Sequence, residues 1–468
     1  MNLKAGPPSA IREDPRMFRV CVGMMNDKDK TWVNDLRTAL VVCILTLAYT
    51  CAVIDRQVLT LLVEPLRRDL HISDTEVSLL GGVAFTVFYT ICGIPLARLA
   101  DQTNRRNLIA IGLALWSAMT VLCGFAQGFW SLIAARVGVG IGEAALSPAA
   151  YSLLADYFPR RRLARAISAY STGIYFGAGL ALVIGGTVIR RIADGGVGAV
   201  AFLGSLFPWQ VVFLVVGALG LPVLLLMLAV REPLRRGISS TANDRSGSAW
   251  PALRAFLQLN SSTLSRLIGG FTLYGIAIGV YLFWAPTMMI RSFGWSASRT
   301  GFTIGLLFLI FGTAGVFAGG WIADRLSSVG REDAIPRTAF FGVCCGLPFL
   351  ILAPLMPDPR LASVGLGITI FFLAFPQGLP AAAIQIITPN HLRAQVSALY
   401  FFVANLLATA LGPLLPALLT DHFYRNPLML RYAIATVVSV AAPLGGALLY
   451  SSLRPYRASL ERASPDIG

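Results

Sequence analysis

Long apolar stretches recur along the chain and predict membrane-spanning helices. A bilayer core about 30 Å thick needs roughly 20 apolar residues per helix, and a window of about 19 residues finds stretches of this length in two sets of six. The first set lies near residues 38–63, 77–99, 107–127, 130–157, 165–190 and 208–230, and the second near 267–290, 300–322, 337–356, 361–387, 393–420 and 431–453. The pattern therefore predicts an all-α membrane protein with twelve transmembrane helices in two bundles.

Polar segments divide and flank the two sets. The predicted division is a tail over 1–36, an N-terminal six-helix bundle over 37–230, a linker over 231–266, a C-terminal six-helix bundle over 267–453 and a tail over 454–468. The first tail lacks a short apolar core followed by a small-residue cleavage site, so we expect a cytoplasmic tail and not a cleaved signal peptide.

Composition and charge agree with this prediction. Of the 468 residues, 56% are hydrophobic and 13% are charged, which excludes a water-soluble enzyme of this size. With both termini cytoplasmic, 27 of the 38 Lys and Arg lie in tails and inside-facing loops, 9 in outside-facing loops and 2 within spans, as positive-inside insertion requires. The net charge of +15 then needs no nucleic-acid partner, because the cations form no single patch.

The sequence indicates neither a metal nor another cofactor. Most cysteines fall inside apolar runs, and no CxxC pair or disulfide framework is visible. The alternating glycines from Gly138 to Gly142 resemble a dinucleotide loop, but they lie in an apolar span with no preceding strand. Close helix packing explains them better.

An internal repeat makes the two bundles pseudo-symmetric. Asp101 follows the second span and precedes Arg105 and Arg106, while Asp324 and Arg325 follow the eighth. The two aspartates are 223 residues apart. A carboxylate at one helix end can accept hydrogen bonds from the amides at the start of a neighbouring helix, and nearby arginines strengthen the contact. We expect these five residues to form a conformational latch; the alternative is that they are solvated loop charges.

In this loop the sequence resembles the major facilitator superfamily, whose signature runs Gly, any, Leu, Ala, Asp, Arg, any, Gly, Arg, Arg. The first copy keeps Leu99, Ala100, Asp101, Arg105 and Arg106 but departs at the two glycines and the first arginine. The second keeps its glycine, Asp324 and Arg325 and has a serine at the turn glycine. The resemblance covers nearly the whole chain and implies the fold of that superfamily.

A narrower likeness lies in the first and fourth spans. The adjacent pair Asp55 and Arg56, with Arg136 and the string GIGEA at 140–144, resembles the Spinster family, whose members move sphingosine phosphate and lysophospholipids. The likeness implies a multi-pass protein of a bacterial inner membrane, with the first and fourth spans lining a central cavity.

Four ionisable residues lie at membrane depth, all in the first bundle: Asp55, Arg56, Arg136 and Glu143. Such groups are costly in lipid and usually face a cavity or a partner. At about 1.5 Å per residue, Asp55 and Arg136 lie at similar heights. Arg136 and Glu143 are seven residues apart and therefore share a helix face.

These positions suggest how protons are coupled to transport. A carboxylate in a low-dielectric cavity holds its proton, whereas one beside an arginine releases it, so alternation between the two environments would load and release a proton. We expect Asp55 and Glu143 to carry out this coupling, with Arg56 and Arg136 as charge partners or as ligands of an anionic headgroup. The alternative is an ion-pair network that only fixes helix packing.

Polar and aromatic residues of the second half are candidates for the substrate cavity. Tyr274, Tyr281 and Trp284 lie in the seventh span, and Asn405 lies in the eleventh. The aromatic residues could form a wall for an acyl chain, or they could be interfacial anchors.

The preferred hypothesis is a proton-coupled secondary transporter that exports a lipid-like amphiphile by alternating access. Two alternatives stay open: a small organic-anion or drug permease of the same fold, and a membrane-embedded lipid-modifying enzyme. The sequence disfavours the enzyme because it has no intramembrane His cluster, HExxH string or nucleophile triad. We expect a monomer whose partners are an amphiphilic substrate, protons and membrane lipids.

Overall fold

The structure, a computed structural model, is built from helices that cross the membrane depth. It describes residues 27–158, 160–194, 206–233, 249–389 and 392–463, and these ranges contain helices and no strands. Twelve helical segments are long and apolar enough to span a bilayer, as the sequence predicts. In chain order, spans 1 to 12 are Thr38–Leu61, Asp74–Ala100, Arg105–Cys123, Phe129–Tyr157, Ala166–Ala193, Pro208–Ala229, Ser261–Phe293, Ala297–Ser328, Ala334–Leu355, Pro359–Ile387, Gln395–Tyr424 and Pro427–Arg462.

Several spans are composed of more than one helix. The α-helices of the first bundle are Asp27–Val58, Val63–Leu70, Asp74–Ser78, Ala84–Gln102, Arg105–Cys123, Phe129–Glu143, Leu146–Tyr157, Arg160–Ser171, Gly173–Ala193 and Pro208–Ala229. Those that follow are Ala249–Leu259, Ser261–Phe293, Ala297–Leu307, Thr313–Ser328, Ala334–Leu352, Pro359–Ala374, Leu379–Ile387, Arg393–Leu418 and Leu430–Ala463. Short 3₁₀ or π segments continue them at Leu59–Leu61, Leu79–Val83, Phe308–Gly312, Ala353–Leu355, Leu419–Tyr424 and Pro427–Met429.

Helices extend into all three segments that the sequence predicts as tails or linker. The first helix begins at Asp27, inside the predicted tail 1–36. Span 7 begins at Ser261, inside the predicted linker 231–266, and the helix Ala249–Leu259 precedes it within the same segment. The last helix continues to Ala463, through most of the predicted tail 454–468. These helix ends are polar and amphipathic, so a hydropathy window does not detect them. Residues 1–26, 234–248 and 464–468 lie outside the described residues.

Glycines let the spans of each bundle pack closely. A Cβ on Gly142 of span 4 would lie 2.7 Å from the backbone nitrogen of Trp116 in span 3. A Cβ on Gly412 of span 11 would lie 2.7 Å from the Cα of Gly279 in span 7. Because these distances are too short for any side chain, the glycines at both crossings are required by packing.

The two bundles touch each other on one side of the membrane. We call the side where span 1 begins and span 12 ends the near side, and the opposite side the far side. Among the described residues, every hydrogen bond between the bundles lies in the far half, such as that from the Gln57 amide to the Leu282 carbonyl at 2.6 Å and that from the Ser78 hydroxyl to the Pro413 carbonyl at 3.0 Å. The far side is therefore closed.

Candidate functional site

Two buried ion pairs join spans 1 and 4 at membrane depth. Arg136 donates from Nη1 to Oδ1 of Asp55 at 3.0 Å, and Arg56 donates from Nε to Oε2 of Glu143 at 2.6 Å. We call these four residues the charged tetrad. The sequence placed Asp55 and Arg136 at one height, and the structure brings them into contact. It also brings Glu143 against the arginine that follows Asp55.

The fourth span presents its two charges because its glycines allow neighbouring helices to approach. A Cβ on Gly140 would lie 2.7 Å from the carbonyl oxygen of Phe85 in span 2, so a larger residue would push that span away. The helix Phe129–Glu143 ends at the carboxylate itself, and the next helix begins at Leu146. The GIGEA string thus enables close packing on both sides of the acid and ends the helix at it.

The carboxylates of Asp55 and Glu143 and the guanidinium of Arg136 are buried. Asp55 and Arg136 are buried, and the Glu143 side chain is 0% exposed. The Thr120 hydroxyl donates to the second oxygen of Asp55. Nε and Nη2 of Arg136 and Oε1 of Glu143 are buried and have no hydrogen bond to any described residue. A proton on Oε1 of Glu143 would therefore displace no existing bond.

Arg56 differs from the other three members because its side chain is 29% exposed. Its guanidinium carbon lies 4.7 Å from the ring centroid of Phe85 and 4.9 Å from that of Tyr89. Only its Nε hydrogen-bonds within the part of the chain that the structure describes. The two Nη groups are thus free to bind an anion.

A tyrosine cluster lies next to Arg56 towards the near side. Tyr49 stacks on Tyr170 with centroids 4.7 Å apart, and Tyr151 meets Tyr170 edge-on at 5.4 Å. The Tyr170 hydroxyl lies 3.3 Å from that of Ser147. Tyr170 is buried whereas Tyr151 is 42% exposed, so the cluster has one accessible ring.

A second charged site, which the sequence analysis missed, closes the far side. Arg291 of span 7 donates from Nη1 and Nη2 to the two carboxylate oxygens of Asp74 in span 2, each at 2.7 Å. Its Nε donates to Glu64 at 2.6 Å, and Arg67 adds a contact to Asp74 at 3.0 Å. We call these four residues the far-side ion cluster. Asp74 and Arg291 are 217 residues apart in sequence, so no local sequence pattern reveals their pairing.

Further polar contacts surround the far-side ion cluster. The Thr75 amide and hydroxyl both donate to one oxygen of Asp421, at 2.7 Å each. The Thr420 hydroxyl donates to Asp74 at 3.0 Å. These contacts cross from span 2 to span 11, so span 11 takes part in the closure together with span 7.

The predicted latch residues do not join the bundles in this structure. Arg105 donates from Nε to Glu232 at 2.7 Å, and Arg106 donates from its amide to the same carboxylate at 3.0 Å, which keeps both within the first bundle. The side chain of Asp101 lies outside the described residues. Asp324 and Arg325 are exposed. Their role as a latch remains a prediction.

Three of the four candidate cavity residues are buried within the second bundle and are not exposed to a cavity in this conformation. Tyr274, Tyr281 and Trp284 are buried inside the second bundle. Their polar atoms donate to backbone carbonyls, Tyr274 to Phe372 at 2.7 Å, Trp284 to Pro413 at 2.8 Å and Tyr281 to Leu350. Each polar group is thus satisfied inside the bundle, and the place of these aromatics in the substrate cavity remains a prediction. Only Asn405 is exposed.

Comparison with known proteins identifies the family. Residues 45–413 match the family model described as Major Facilitator Superfamily. The chain belongs to the major facilitator superfamily. It is 28% identical over 432 residues to an MFS-type efflux pump of Mycolicibacterium smegmatis, covering 90% of this chain and 94% of that protein. It is 29% identical over 418 residues to protein spinster homolog 1 of Homo sapiens, covering 85% of this chain and 75% of that protein.

A solved structure supports the same conclusion about this superfamily member. A bacterial homolog of the human lysosomal transporter Spinster, in an inward-facing and unoccupied conformation, has a TM-score of 0.74 and 25% sequence identity, and the alignment covers 91% of this chain and 97% of that one. The protein is therefore a multi-pass transporter of the Spinster type within the major facilitator superfamily.

The burial of these aromatic side chains inside the second bundle gives a testable expectation. Tyr274→Phe is expected to leave the KM for a transported substrate unchanged and to lower the free energy of unfolding by about 1 kcal/mol, since it removes one buried hydrogen bond. Asn405→Ala is expected to show the opposite pattern, with a higher KM and unchanged thermal stability. A change in KM for Tyr274→Phe would instead indicate that Tyr274 lines the substrate cavity.

Proposed function

We propose that this transporter exports a lipid-like amphiphile with one anionic end, such as a lysophospholipid or a sphingosine-phosphate-like molecule, in exchange for protons. The observation that carries the proposal is the arrangement of the charged tetrad: two buried carboxylates, one buried arginine and one arginine that is 29% exposed. This arrangement combines a group that can bind an anion with groups that can hold protons away from water.

Arg56 is the proposed ligand of the anionic headgroup. Its Nη groups make no hydrogen bond to a described residue, while its guanidinium face rests on Phe85 and Tyr89. A planar guanidinium held in this way matches the geometry of a phosphate or carboxylate. The accessible ring of Tyr151 and the amide of Asn405 are the proposed neutral surfaces beside it.

The second bundle provides the proposed wall for an apolar chain. No acidic or basic residue lies in the central part of spans 7 to 12. A cavity with arginine on one wall and no charge on the other suits an amphiphile with a single charged end.

Coupling arises, in this proposal, from competition for Arg56. A headgroup that binds the guanidinium weakens its contact with Glu143, which lies 2.6 Å from it. A buried carboxylate without a cationic partner favours its protonated form, so substrate binding and proton binding become linked. Asp55 forms the second proton site, where Arg136 is the partner.

Alternating access is the proposed mode of transport, and the conformation with a closed far side is one of its two states. We propose that the near side is cytoplasmic, with both termini there, and that the protein resides in a bacterial inner membrane. The described conformation is then inward-facing, and the far-side ion cluster must separate before substrate leaves. The latch residues Asp101, Arg105, Arg106, Asp324 and Arg325 are proposed to act when the near side closes. The proposed transporter works as a monomer within membrane lipids and changes no covalent bond.

A small organic-anion or drug permease is the second candidate. It is supported by the efflux-pump relative and by a probable L-galactonate transporter of Escherichia coli, which is 22% identical over 413 residues, covering 85% of this chain and of that protein. An exposed arginine would bind a small carboxylate as readily as a phosphate.

Reconstituted flux distinguishes these functions. Purified protein in proteoliposomes is supplied with a lysophospholipid, a sphingoid phosphate or a sugar acid, with and without a pH gradient. We expect gradient-dependent movement of an amphiphile, recovered chemically unchanged. Movement of the sugar acid alone would favour the permease, and a chemically altered lipid would indicate an enzyme.

A further inference from the structure

We propose that Phe85 is a positioning residue that couples the two ion pairs of the charged tetrad. The inference rests on the proposed function, because it concerns how the two proton sites act together. It assigns a role to a residue of span 2 that carries no charge and that the sequence analysis did not single out.

One aromatic ring lies within range of both guanidinium groups. The Arg56 carbon is 4.7 Å from the centroid of the Phe85 ring, and the Arg136 carbon is 5.6 Å from the same centroid. Both distances are within the roughly 6 Å over which a ring attracts a cation. Phe85 is 2% exposed, so this attraction acts away from water, where it is strongest.

The arginines depend on this ring because each is only partly held by hydrogen bonds. Arg136 reaches Asp55 through Nη1 alone, and its buried Nε and Nη2 have no partner among the described residues. Arg56 reaches Glu143 through Nε alone. The electron-rich face of Phe85 is the contact that both cations share.

The Phe85 ring lies within reach of both ion pairs through their arginines. Within the described ranges, no side-chain hydrogen bond or ion pair joins Asp55–Arg136 to Arg56–Glu143. Two like charges at one ring oppose each other. When Arg56 turns towards an anionic headgroup, its repulsion of Arg136 at the ring weakens, so Arg136 can shift on the ring and change its contact with Asp55. Binding of substrate at the Arg56–Glu143 pair thereby changes the Asp55–Arg136 pair.

Gly140 fixes the position of the ring. The carbonyl oxygen of Phe85 lies 2.7 Å from the place of a Cβ on Gly140, so span 2 can lie this close only beside glycine. The first glycine of the GIGEA string therefore lets span 2 bring the Phe85 ring close to span 4.

The pH response of this site depends on every ionisable group near the ring. From spans 1 and 4 these are the charged tetrad and three neutral groups that interact electrostatically with it or with Tyr89, namely Tyr49, Cys51 and Tyr151. Tyr89, on the same helix as Phe85, stacks on the ring at 5.5 Å. A change in the ring must act through these groups, so its signature is a changed pH profile of transport.

The test replaces the ring's charge distribution while keeping its shape. Phe85 is exchanged for mono-, di- and trifluorinated phenylalanines, and in a separate variant for Leu. The control is Phe88→Leu, on the exposed side of the same span. The readouts are accumulation of a lysophospholipid driven by a pH gradient, its exchange at equal pH, the pH profile and thermal stability.

We expect gradient-driven accumulation to fall stepwise with fluorination, by about tenfold for the trifluorinated ring, with a shifted pH profile, a smaller loss of equal-pH exchange than of accumulation, and unchanged thermal stability. Wild-type accumulation and an unchanged pH profile in the trifluorinated protein would overturn the role of Phe85, and so would an equal loss in Phe88→Leu. If accumulation by the wild-type protein does not depend on the pH gradient, the proposed function is wrong as well.

Discussion

Glu143→Gln is expected to abolish the accumulation of substrate driven by a pH gradient while leaving exchange at equal pH partly intact. The amide keeps the size of the side chain and can still accept from Nε of Arg56, which lies 2.6 Å from Glu143, but it cannot take up a proton. Loss of proton coupling with retained exchange separates a role in energy coupling from one in substrate binding. Proteoliposome uptake at two external pH values measures both.

The matched variants for this experiment are Asp55→Asn and Glu332→Gln. Asp55 is the other acid of the charged tetrad, and its amide is expected to lose coupling in the same way. Glu332 is exposed in the loop between spans 8 and 9, and its amide should behave as wild type. If both tetrad variants still follow the gradient, coupling through these carboxylates is wrong. If both lose exchange, accumulation and thermal stability together, the tetrad is a packing network.

Arg291→Ala is expected to shift the protein from the far-side-closed state to an open one. Its side chain is 4% exposed and that of Asp74 is 0% exposed, so removing the arginine leaves a carboxylate buried without its bidentate partner. Breaking a buried pair in this way costs about 3–5 kcal/mol, which changes the closed-to-open ratio by roughly two to four orders of magnitude. Distances between spin labels on the far-side ends of the two bundles would report the change.

The control for the far-side experiment is Arg68→Ala. Arg68 is 72% exposed, and its one ion pair within the described ranges is with neighbouring Asp69, so its removal should leave the label distances unchanged. An unchanged distance distribution in Arg291→Ala would mean that packing alone closes the far side.

The charged tetrad was predictable because its geometry follows from helix periodicity. Arg136 and Glu143 are two helical turns apart, so they lie on one face of span 4. The rise per residue gives the depth of each charged residue in the membrane. Charged side chains in lipid must also find partners. Sequence, periodicity and solvation therefore all point to the same four residues.

The far-side ion cluster was not predictable by these means. Arg291 and Asp74 lie at helix ends, where charges are ordinary, and their partnership depends on how two bundles meet in one conformation. A helical period contains no information about that relation. The pairing becomes visible only when both bundles are placed together.

The aromatic residues of span 7 show a different limit. Their spacing identifies the helix face on which they lie. It does not show whether that face packs inside the bundle or lines the cavity, because an aromatic ring has apolar surroundings in both places. Burial of Tyr281 and Trp284 against spans 9 and 11 was decided by backbone carbonyls that accept their polar hydrogens. Sequence patterns do not show which carbonyls are within reach.

The most direct measurement is the pH dependence of the open side in a lipid bilayer. Spin labels at Gln102 and Gln395, both exposed at the near side, are placed in a cysteine-free background and their distance is followed by double electron–electron resonance from acid to alkaline pH. We expect the wild-type distribution to shift with pH and the double variant Asp55→Asn, Glu143→Gln to stay in one state throughout. A double variant that titrates like wild type would contradict the link between these two acids and the side that is open.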